Sequence, residues 1–135
     1  MYKNILVPVL IDEHHDTQAS YLAAQALADE GAKFTVLHVM ETIPTFVASQ
    51  LPKEIMDKSW HEAEKALKQS AAALPGAATC LESGHPGRFI VDFAKENGID
   101  CIIIASHRPG IEDYFLGSTA ARVVRHAQCA VHVIR

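Results

Sequence analysis

Short apolar runs alternate with longer segments of helical periodicity along the whole chain. Runs rich in β-branched and other apolar residues predict five buried strands, at 2–9, 33–40, 77–82, 100–105 and 130–134. The segments between them repeat apolar residues three or four positions apart and predict four helices, over 17–30, 53–73, 86–97 and 117–126. The predicted order is a strand followed by a helix, four times, and then a closing strand.

The apolar spacing also predicts which side of each helix is buried. In the first helix the expected inward residues are Ala19, Leu22, Ala23, Ala26 and Leu27. In the second they are Ile55, Met56, Trp60, Ala63 and Leu67, and in the third Phe89, Ile90, Phe93 and Ala94. Glycine commonly follows the last helical residue, so Gly31 and Gly98 are expected to end the first and third helices.

Strict alternation of strands and helices predicts parallel strands joined by right-handed crossovers. The expected fold is α/β: a three-layer, doubly wound, five-stranded parallel sheet with helices on both faces. In such sheets ligands bind outside the carboxyl ends of the strands, where the strand order reverses. The segments that follow Val9, Val39 and Ala105 are therefore expected to line a binding crevice.

Composition narrows the class of protein. With 135 residues, of which 49% are hydrophobic and 21% charged, the chain is expected to form one globular domain over 1–135. The net charge of −4 without a basic stripe argues against nucleic acid as a partner. No apolar run approaches the about 20 residues of a membrane span, so no membrane partner is expected.

The start of the chain and its cysteines bear on location. The N-terminus opens directly on a strand-like run and lacks the apolar region and cleavage site of a signal peptide. Cys80, Cys101 and Cys129 are odd in number, widely spaced, and lie in or beside apolar segments. Buried, reduced thiols and a cytoplasmic protein are therefore expected.

The stretch 101–119 carries the candidate chemistry. A buried strand ends at small and polar residues, a loop follows, and Gly117-Ser118 opens a helix-forming segment. The free N–H groups and the positive dipole end of such a helix suit an anion such as phosphate. Alternatively, Ser118 simply caps the helix, and the two roles are compatible.

The eight histidines do not form a ligand pattern. His14 and His15 are adjacent and cannot face one site, and His61-Glu62 is followed at position 65 by Lys65 instead of histidine. The acids of 12–16 lack the spacing and the glycine of a calcium loop. No metal site is expected.

Other polar and aromatic residues have structural interpretations. His107 follows the fourth strand, but the local sequence offers it no partner carboxylate or nucleophile, so no catalytic residue is assigned. His38 and His132 lie inside apolar strands and are interpreted as satisfied structural histidines. The aromatic residues Phe46 and Trp60 are interpreted as part of a lid or partner surface. For Trp60 a position in the core is the alternative.

Six motifs then occur in the order of a known family. They are 3–9 (KNILVPV), 37–39 (LHV), 84–86 (GHP), 103–108 (IIASHR), 116–118 (LGS) and 129–133 (CAVHV). Together they make the sequence similar to the universal stress protein family, and in particular to its small single-domain bacterial members of the F/G type. The resemblance covers essentially the whole chain. It implies five parallel strands and a homodimer formed by antiparallel pairing of the last strands, here 130–135.

The resemblance also implies a ligand, because many members bind ATP or a related adenine nucleotide, which Mg²⁺ can accompany. The adenine would lie against Pro8, Val9 and the backbone of Val39. Family members that bind nucleotide usually have an acidic residue directly after the first Pro-Val pair. Here Leu10 holds that position, and Asp12 is the candidate for the ribose contact.

The phosphate loop of the family has the pattern Gly, two residues, Gly, nine residues, then Gly and Ser or Thr. In this chain Ala105 and Arg108 replace the first two glycines, Gly117-Ser118 keeps the last pair, and the intervening loop is one residue shorter. The phosphates would lie on the N–H groups of the helix start and within the loop that precedes it. The residues implied are Ala105, Ser106, His107, Arg108, Gly110, Gly117, Ser118 and Thr119.

The sequence thus leads to a nucleotide-binding regulatory protein with little or no hydrolysis, rather than an enzyme. The alternative is a dimeric interaction protein whose degenerate cleft binds no nucleotide. The replacements Leu10, Ala105 and Arg108 motivate that alternative. A third possibility, a true hydrolase, predicts steady phosphate release that depends on Ser118 or Arg108.

Overall fold

The computed structural model describes residues 1–11, 17–106 and 116–135. The strands are β1 (Tyr2–Pro8), β2 (Ala28–Glu41), β3 (Ala78–Gly84), β4 (Cys101–Ala105) and β5 (Ala130–Ile134). The helices are α1 (Gln18–Leu27), α2 (Thr45–Ala48), α3 (Lys53–Ala71), α4 (Pro86–Glu96) and α5 (Ser118–His126). The short helix α2 has no counterpart in the sequence prediction.

The five strands form one sheet in the order β3-β2-β1-β4-β5, and all the paired strands run parallel. This confirms the predicted α/β fold with a doubly wound sheet. The strand order reverses between β1 and β4, because the chain moves from β1 to β2 and β3 on one side and from β4 to β5 on the other. The crevice expected for this fold lies at the carboxyl ends of β1 and β4.

Alternation along the strands divides the core into two layers. Ile5 and Val7 of β1 face one layer, while Leu6 between them faces the other. The first layer packs on α1 and α3, and its other fully enclosed members include Val36, Leu67 and Leu74. The second packs on α4 and α5 around Leu37, Ile102 and Val123. The predicted inward face of α4 is confirmed, with Ile90 and Ala94 buried and Phe89 and Phe93 half-buried.

Both the predicted C-terminal end of α1 and its predicted buried face were wrong. The helix ends at Leu27 instead of Glu30, and β2 begins at once, so that Gly31 lies within the irregular start of β2 at φ +78°. The buried residues are Ser20, Tyr21 and Ala24. The predicted inward residues Ala19, Leu22 and Ala26 are exposed, and Ala23 and Leu27 are half-buried.

A hydrogen bond explains this rotation of α1. The Tyr21 hydroxyl lies 2.6 Å from the Ser70 hydroxyl of α3, while the ring is buried in the first layer. Burying this aromatic ring with its hydroxyl satisfied outweighs leaving Leu22, Ala19 and Ala26 exposed on the other side of the helix.

The prediction for α3 was right only in its second half. Leu67 and Ala71 are buried, but Ile55 and Met56 are exposed, and Trp60 and Ala63 are half-buried. Only the later turns of α3 meet the sheet layer, so the periodic apolar residues of its first turns have no core to enter. The exposure of Phe46 agrees with its interpretation as a surface aromatic.

The three cysteines are free thiols, of which Cys101 is buried and Cys80 and Cys129 are half-buried. The expectation that all three are buried was therefore too strong. Burial, followed by the nearby Cys129 and Asp100, raises the pKa of the Cys101 thiol to about 11. Burial also raises the pKa of Cys80 and of Cys129. These thiols remain protonated at neutral pH, which makes them poor nucleophiles.

This pKa predicts a loss of stability in alkali. Between pH 9 and pH 11 the unfolded chain has lost the Cys101 proton while the native protein keeps it. The unfolded state then binds fewer protons, so the free energy of unfolding falls with rising pH, by about 2 kcal/mol for this group. Urea unfolding from pH 8 to pH 11 measures the slope, and Cys101→Ala should flatten it. An equal slope in both proteins would contradict the prediction.

Among the described residues, none of the helices is long and apolar enough to cross a membrane.

Candidate functional site

The crevice is built from the carboxyl ends of three strands and the start of one helix. β1 ends at Pro8, β4 at Ala105 and β2 at Glu41, two residues after Val39, and α5 begins at Ser118. Parallel strands bring these ends to one edge of the sheet. The tertiary structure therefore gathers the described candidate residues at that edge: Pro8, Val9, Val39, Ala105, Ser106, Gly117, Ser118 and Thr119.

On the β1 and β2 side, the site offers main-chain groups and aliphatic surface. The side chains of Val9 and Val39 are 8% and 7% exposed and belong to the core layers. The Val9 N–H donates to the Leu37 carbonyl at 2.8 Å, one residue beyond the end of β1. The side chain of Leu10 is 45% exposed. The position that is usually acidic in nucleotide-binding members of the similar family therefore carries an apolar side chain in contact with solvent.

His38 of β2 contacts this segment. Its Nδ1 lies 2.9 Å from the Val9 carbonyl oxygen. A carbonyl can only accept, so Nδ1 carries the proton and donates. The interpretation of His38 as a satisfied histidine is confirmed, but its partner was missed, because a sequence does not show which carbonyl lies opposite a ring. His132, in contrast, is exposed.

On the β4 side, the strand end is fixed to β5. The Ser106 N–H donates to the Ile134 carbonyl at 2.9 Å, and the Ser106 hydroxyl donates to the same oxygen at 3.4 Å. In this arrangement the Ser106 hydroxyl can still accept from a ligand, but its proton is already used. Ala105 is exposed.

Gly117 brings the start of α5 against this strand end. A Cβ atom at Gly117 would lie 3.5 Å from the Ser106 carbonyl oxygen, which is ordinary contact distance. The two ends of the loop between β4 and α5 therefore meet, as a compact anion-binding corner requires.

The first turn of α5 is open. Gly117 is the N-cap residue, and no side chain caps the helix among the described residues. The interpretation of Ser118 as a cap was therefore wrong, because Ser118 is already the first helical residue. The Ala121 N–H donates to the Gly117 carbonyl at 2.8 Å, so the earlier N–H groups at Ser118, Thr119 and Ala120 precede the first intrahelical bond. The helix dipole adds positive potential at this point.

Four predicted site residues lie outside the described residues: Asp12, His107, Arg108 and Gly110. The ribose contact and the middle of the phosphate loop thus stay predictions from the sequence. Within 1–11, 17–106 and 116–135, no three His, Cys, Asp or Glu side chains come together as a metal site would require.

An open parallel sheet with helices on both faces, whose strand order reverses beside the start of α5, defines the doubly wound class of α/β proteins. The model of the universal stress protein family matches residues 1–135. The chain belongs to the universal stress protein family.

Relatives of known sequence or structure match over nearly their whole length. Universal stress protein G of Escherichia coli O157:H7 is 27% identical over 142 residues, which cover 100% of both chains. The solved universal stress protein UspA from Lactobacillus plantarum is 31% identical, with a TM-score of 0.78, covering 99% of this chain and 98% of that one.

Solved structures of lower identity contain nucleotides. The universal stress protein from Archaeoglobus fulgidus in complex with dAMP is 22% identical, with a TM-score of 0.68, covering 99% of this chain and 98% of that one. A family protein from Arabidopsis thaliana with AMP bound is 19% identical, with a TM-score of 0.61 and coverages of 98% and 90%. A universal stress protein in complex with cAMP is 20% identical, with a TM-score of 0.62 and coverages of 99% and 97%. At these identities the likeness to this chain shows the fold.

Proposed function

We propose that this protein binds an adenine nucleotide, ATP or AMP, as a regulatory stress-response protein with little or no hydrolysis. One observation carries the proposal: among the described residues no side chain caps the first turn of α5, which opens at the carboxyl edge beside the ends of β1 and β4. An anion placed there would meet the first N–H groups of the helix, which have no acceptor within the helix, and the positive end of the helix dipole. Nucleotides in the family structures with AMP, dAMP and cAMP support the proposal.

The two sides of the crevice suit the two parts of a nucleotide. On the α5 side, the N–H groups of Ser118 and Thr119 and the exposed Ser118 hydroxyl would donate to phosphate oxygens. On the β1 and β2 side, Pro8 and the backbone of Val9 and Val39 would face the base. Any Mg²⁺ would enter with the phosphates of ATP.

The proposed absence of turnover rests on the chemistry of the described lining. Hydrolysis needs a group that takes a proton from the attacking water. The described residues proposed to hold the phosphates, Ser106, Gly117, Ser118 and Thr119, offer hydroxyls and main-chain N–H groups, none of which is a base at neutral pH. Purified protein incubated with ATP is therefore expected to release no phosphate above the rate of the buffer.

The decisive prediction concerns Ser118→Pro. Proline suits the first position of a helix, and the φ −56°, ψ 152° of Gly117 is the extended conformation that a residue before proline prefers. The variant keeps the helix but removes one N–H and one hydroxyl from the proposed phosphate site. Calorimetry with ATP and AMP should show the dissociation constant rising by about tenfold or more, equivalent to about 1.4 kcal/mol or more.

Ser118→Ala is the matched control, because it removes the hydroxyl and keeps the N–H. Its loss of affinity should be smaller than that of Ser118→Pro, and both variants should melt within about 2 °C of the parent without nucleotide. Unchanged affinity in Ser118→Pro would contradict a phosphate site at α5. No heat at millimolar nucleotide with the parent protein would overturn the proposed function.

The second candidate is a dimeric interaction protein with a degenerate cleft. It is favoured by the exposed apolar side chain of Leu10 at the position of the family's acidic residue. It predicts that ATP and AMP leave the melting temperature unchanged. A bound nucleotide at a hundredfold excess over its dissociation constant would stabilise the protein by about 2.7 kcal/mol, so a thermal-shift assay separates the two candidates.

Both candidates include a homodimer, and the edge strand β5 supports it. The Ile134 carbonyl accepts from Ser106 beside β4, so Ile134, His132 and Ala130 direct their main-chain groups toward β4. Val131 and Val133 then direct theirs outward. An antiparallel β5 of a second copy would pair with these outward groups and cover the edge.

A further inference from the structure

The His38 ring is hydrogen-bonded to the Val9 carbonyl at the crevice. The pairing of the neighbouring residues in β2 shows which main-chain hydrogen bond this contact replaces. The regular ladder between β1 and β2 ends at the pair Pro8 and Leu37. One residue further, the Val9 N–H still donates to the Leu37 carbonyl. The next acceptor in a continued ladder would be the Val9 carbonyl, and it receives the Nδ1–H of His38 instead.

The donor that such a continued ladder would use belongs to Val39. Alternate residues of a strand direct their N–H and C=O groups to opposite neighbours. Since Leu37 directs its carbonyl to β1, Val39, two residues on, directs both main-chain groups to the same side. That side is the end of β1 at the crevice, where the registered pairing of β1 with β2 has already stopped.

The ring of His38 lies on the face of the sheet opposite to its neighbours' side chains. Leu37 and Val39 pack in the layer of α4 and α5, whereas Val36 and Val9 pack in the layer of α1 and α3. By alternation His38 faces the α1 and α3 side, where it is half-buried beside Val9. The Val9 carbonyl is thus bound from that face, and among the described residues no main-chain hydrogen bond joins it to the Val39 N–H.

We propose that His38 is a positioning residue that holds the Val9 carbonyl away from Val39 and so keeps the N–H and C=O edge of Val39 open. An adjacent donor and acceptor on an extended backbone match a planar ligand with complementary groups on one edge, such as a purine base. The inference rests on the proposed function for the identity of the ligand. The opening of the Val39 edge is a property of the free protein as well.

The test uses two variants of the full chain. His38→Asn keeps a side-chain N–H donor near the position of Nδ1, while His38→Leu keeps apolar bulk and removes the donor. Without nucleotide, amide hydrogen exchange by NMR should find the Val39 N–H exchanging freely in the parent and in His38→Asn. In His38→Leu the Val9 carbonyl becomes available to Val39, and the exchange of this amide should slow by about tenfold or more, as a new hydrogen bond of about 1.4 kcal/mol produces.

Nucleotide affinity gives the second measurement. Calorimetry with AMP should show about a tenfold weaker dissociation constant for His38→Leu and near-parental affinity for His38→Asn. Equal Val39 exchange in all three proteins would overturn the role of His38, whatever their affinities. If the parent binds no AMP but Val39 exchange changes as expected, the proposed function fails and the positioning role stands.

Discussion

Replacement of Val133 by proline is expected to convert the proposed homodimer into a monomer. Val133 directs its N–H outward from the edge strand β5, so proline at this position removes no donor from the ladder with β4. In an antiparallel pair of β5 strands, each copy would lose one intermolecular hydrogen bond and leave a carbonyl of its partner unsatisfied. At about 1–3 kcal/mol for each such group, the dissociation constant should rise by about a hundredfold or more.

Val133→Ala is the matched control, because Val133 is half-buried against the second core layer and both variants lose that packing. The alanine variant keeps its N–H and should remain dimeric. Analytical ultracentrifugation of the three proteins at micromolar concentration measures the result. A Val133→Pro protein that stays dimeric would place the interface on another surface, and a parent protein that sediments as a monomer would remove the dimer altogether.

The largest effect on stability is expected from Asp100→Ala. The Asp100 carboxylate accepts from the Lys3 N–H at 2.8 Å and from the Asn4 N–H at 3.0 Å, joining the start of β1 to the start of β4 across the chain. The Asn4 side chain reinforces this junction by donating to the carbonyls of Asn97 and Gly98 at 3.0 and 3.2 Å. Removing both acceptors from a half-buried site should lower the free energy of unfolding by about 2–3 kcal/mol.

Asp92→Ala supplies the control, since Asp92 is an exposed acid on α4 and its replacement should change stability by less than about 0.5 kcal/mol. Asp100→Asn keeps one carbonyl acceptor and should fall between the two. Urea unfolding at pH 7 of the four proteins tests this order. Equal midpoints for Asp100→Ala and Asp92→Ala would show that the junction at β1 contributes nothing measurable.

The predicted buried faces of α1 and α3 were wrong for two different reasons. In α1 the residues Ala19, Ala23, Ala24 and Ala26 make several sides of the helix similarly apolar, so periodicity alone does not select a face. The choice falls to Tyr21, whose hydroxyl finds Ser70 on α3. In α3 the apolar residues do recur on one face of the helix, but only those of its later turns, such as Leu67 and Ala71, pack against the sheet.

Part of the candidate site was likewise predicted from the sequence, and part was not. The sequence placed Gly117-Ser118 at the end of a loop after a buried strand, and the resemblance to a known family added the base side at Val9 and Val39. It did not show that Gly117 would be the N-cap residue or that Ser106 would be fixed to Ile134. The Ser106–Ile134 contact joins residues far apart in the chain, and only the packing of β4 against β5 brings them together.

By itself, the sequence determined the order of the five strands and of four of the five described helices, the parallel sheet and the edge at which a ligand would bind. It did so because burial of both sheet faces leaves continuous apolar runs, and strict alternation with helices leaves few topologies. Only the tertiary structure decided which face of α1 is buried, that Gly117 is the N-cap residue of α5, and that His38 holds the Val9 carbonyl. These depend on the partner that each polar group meets in three dimensions, which local periodicity does not encode.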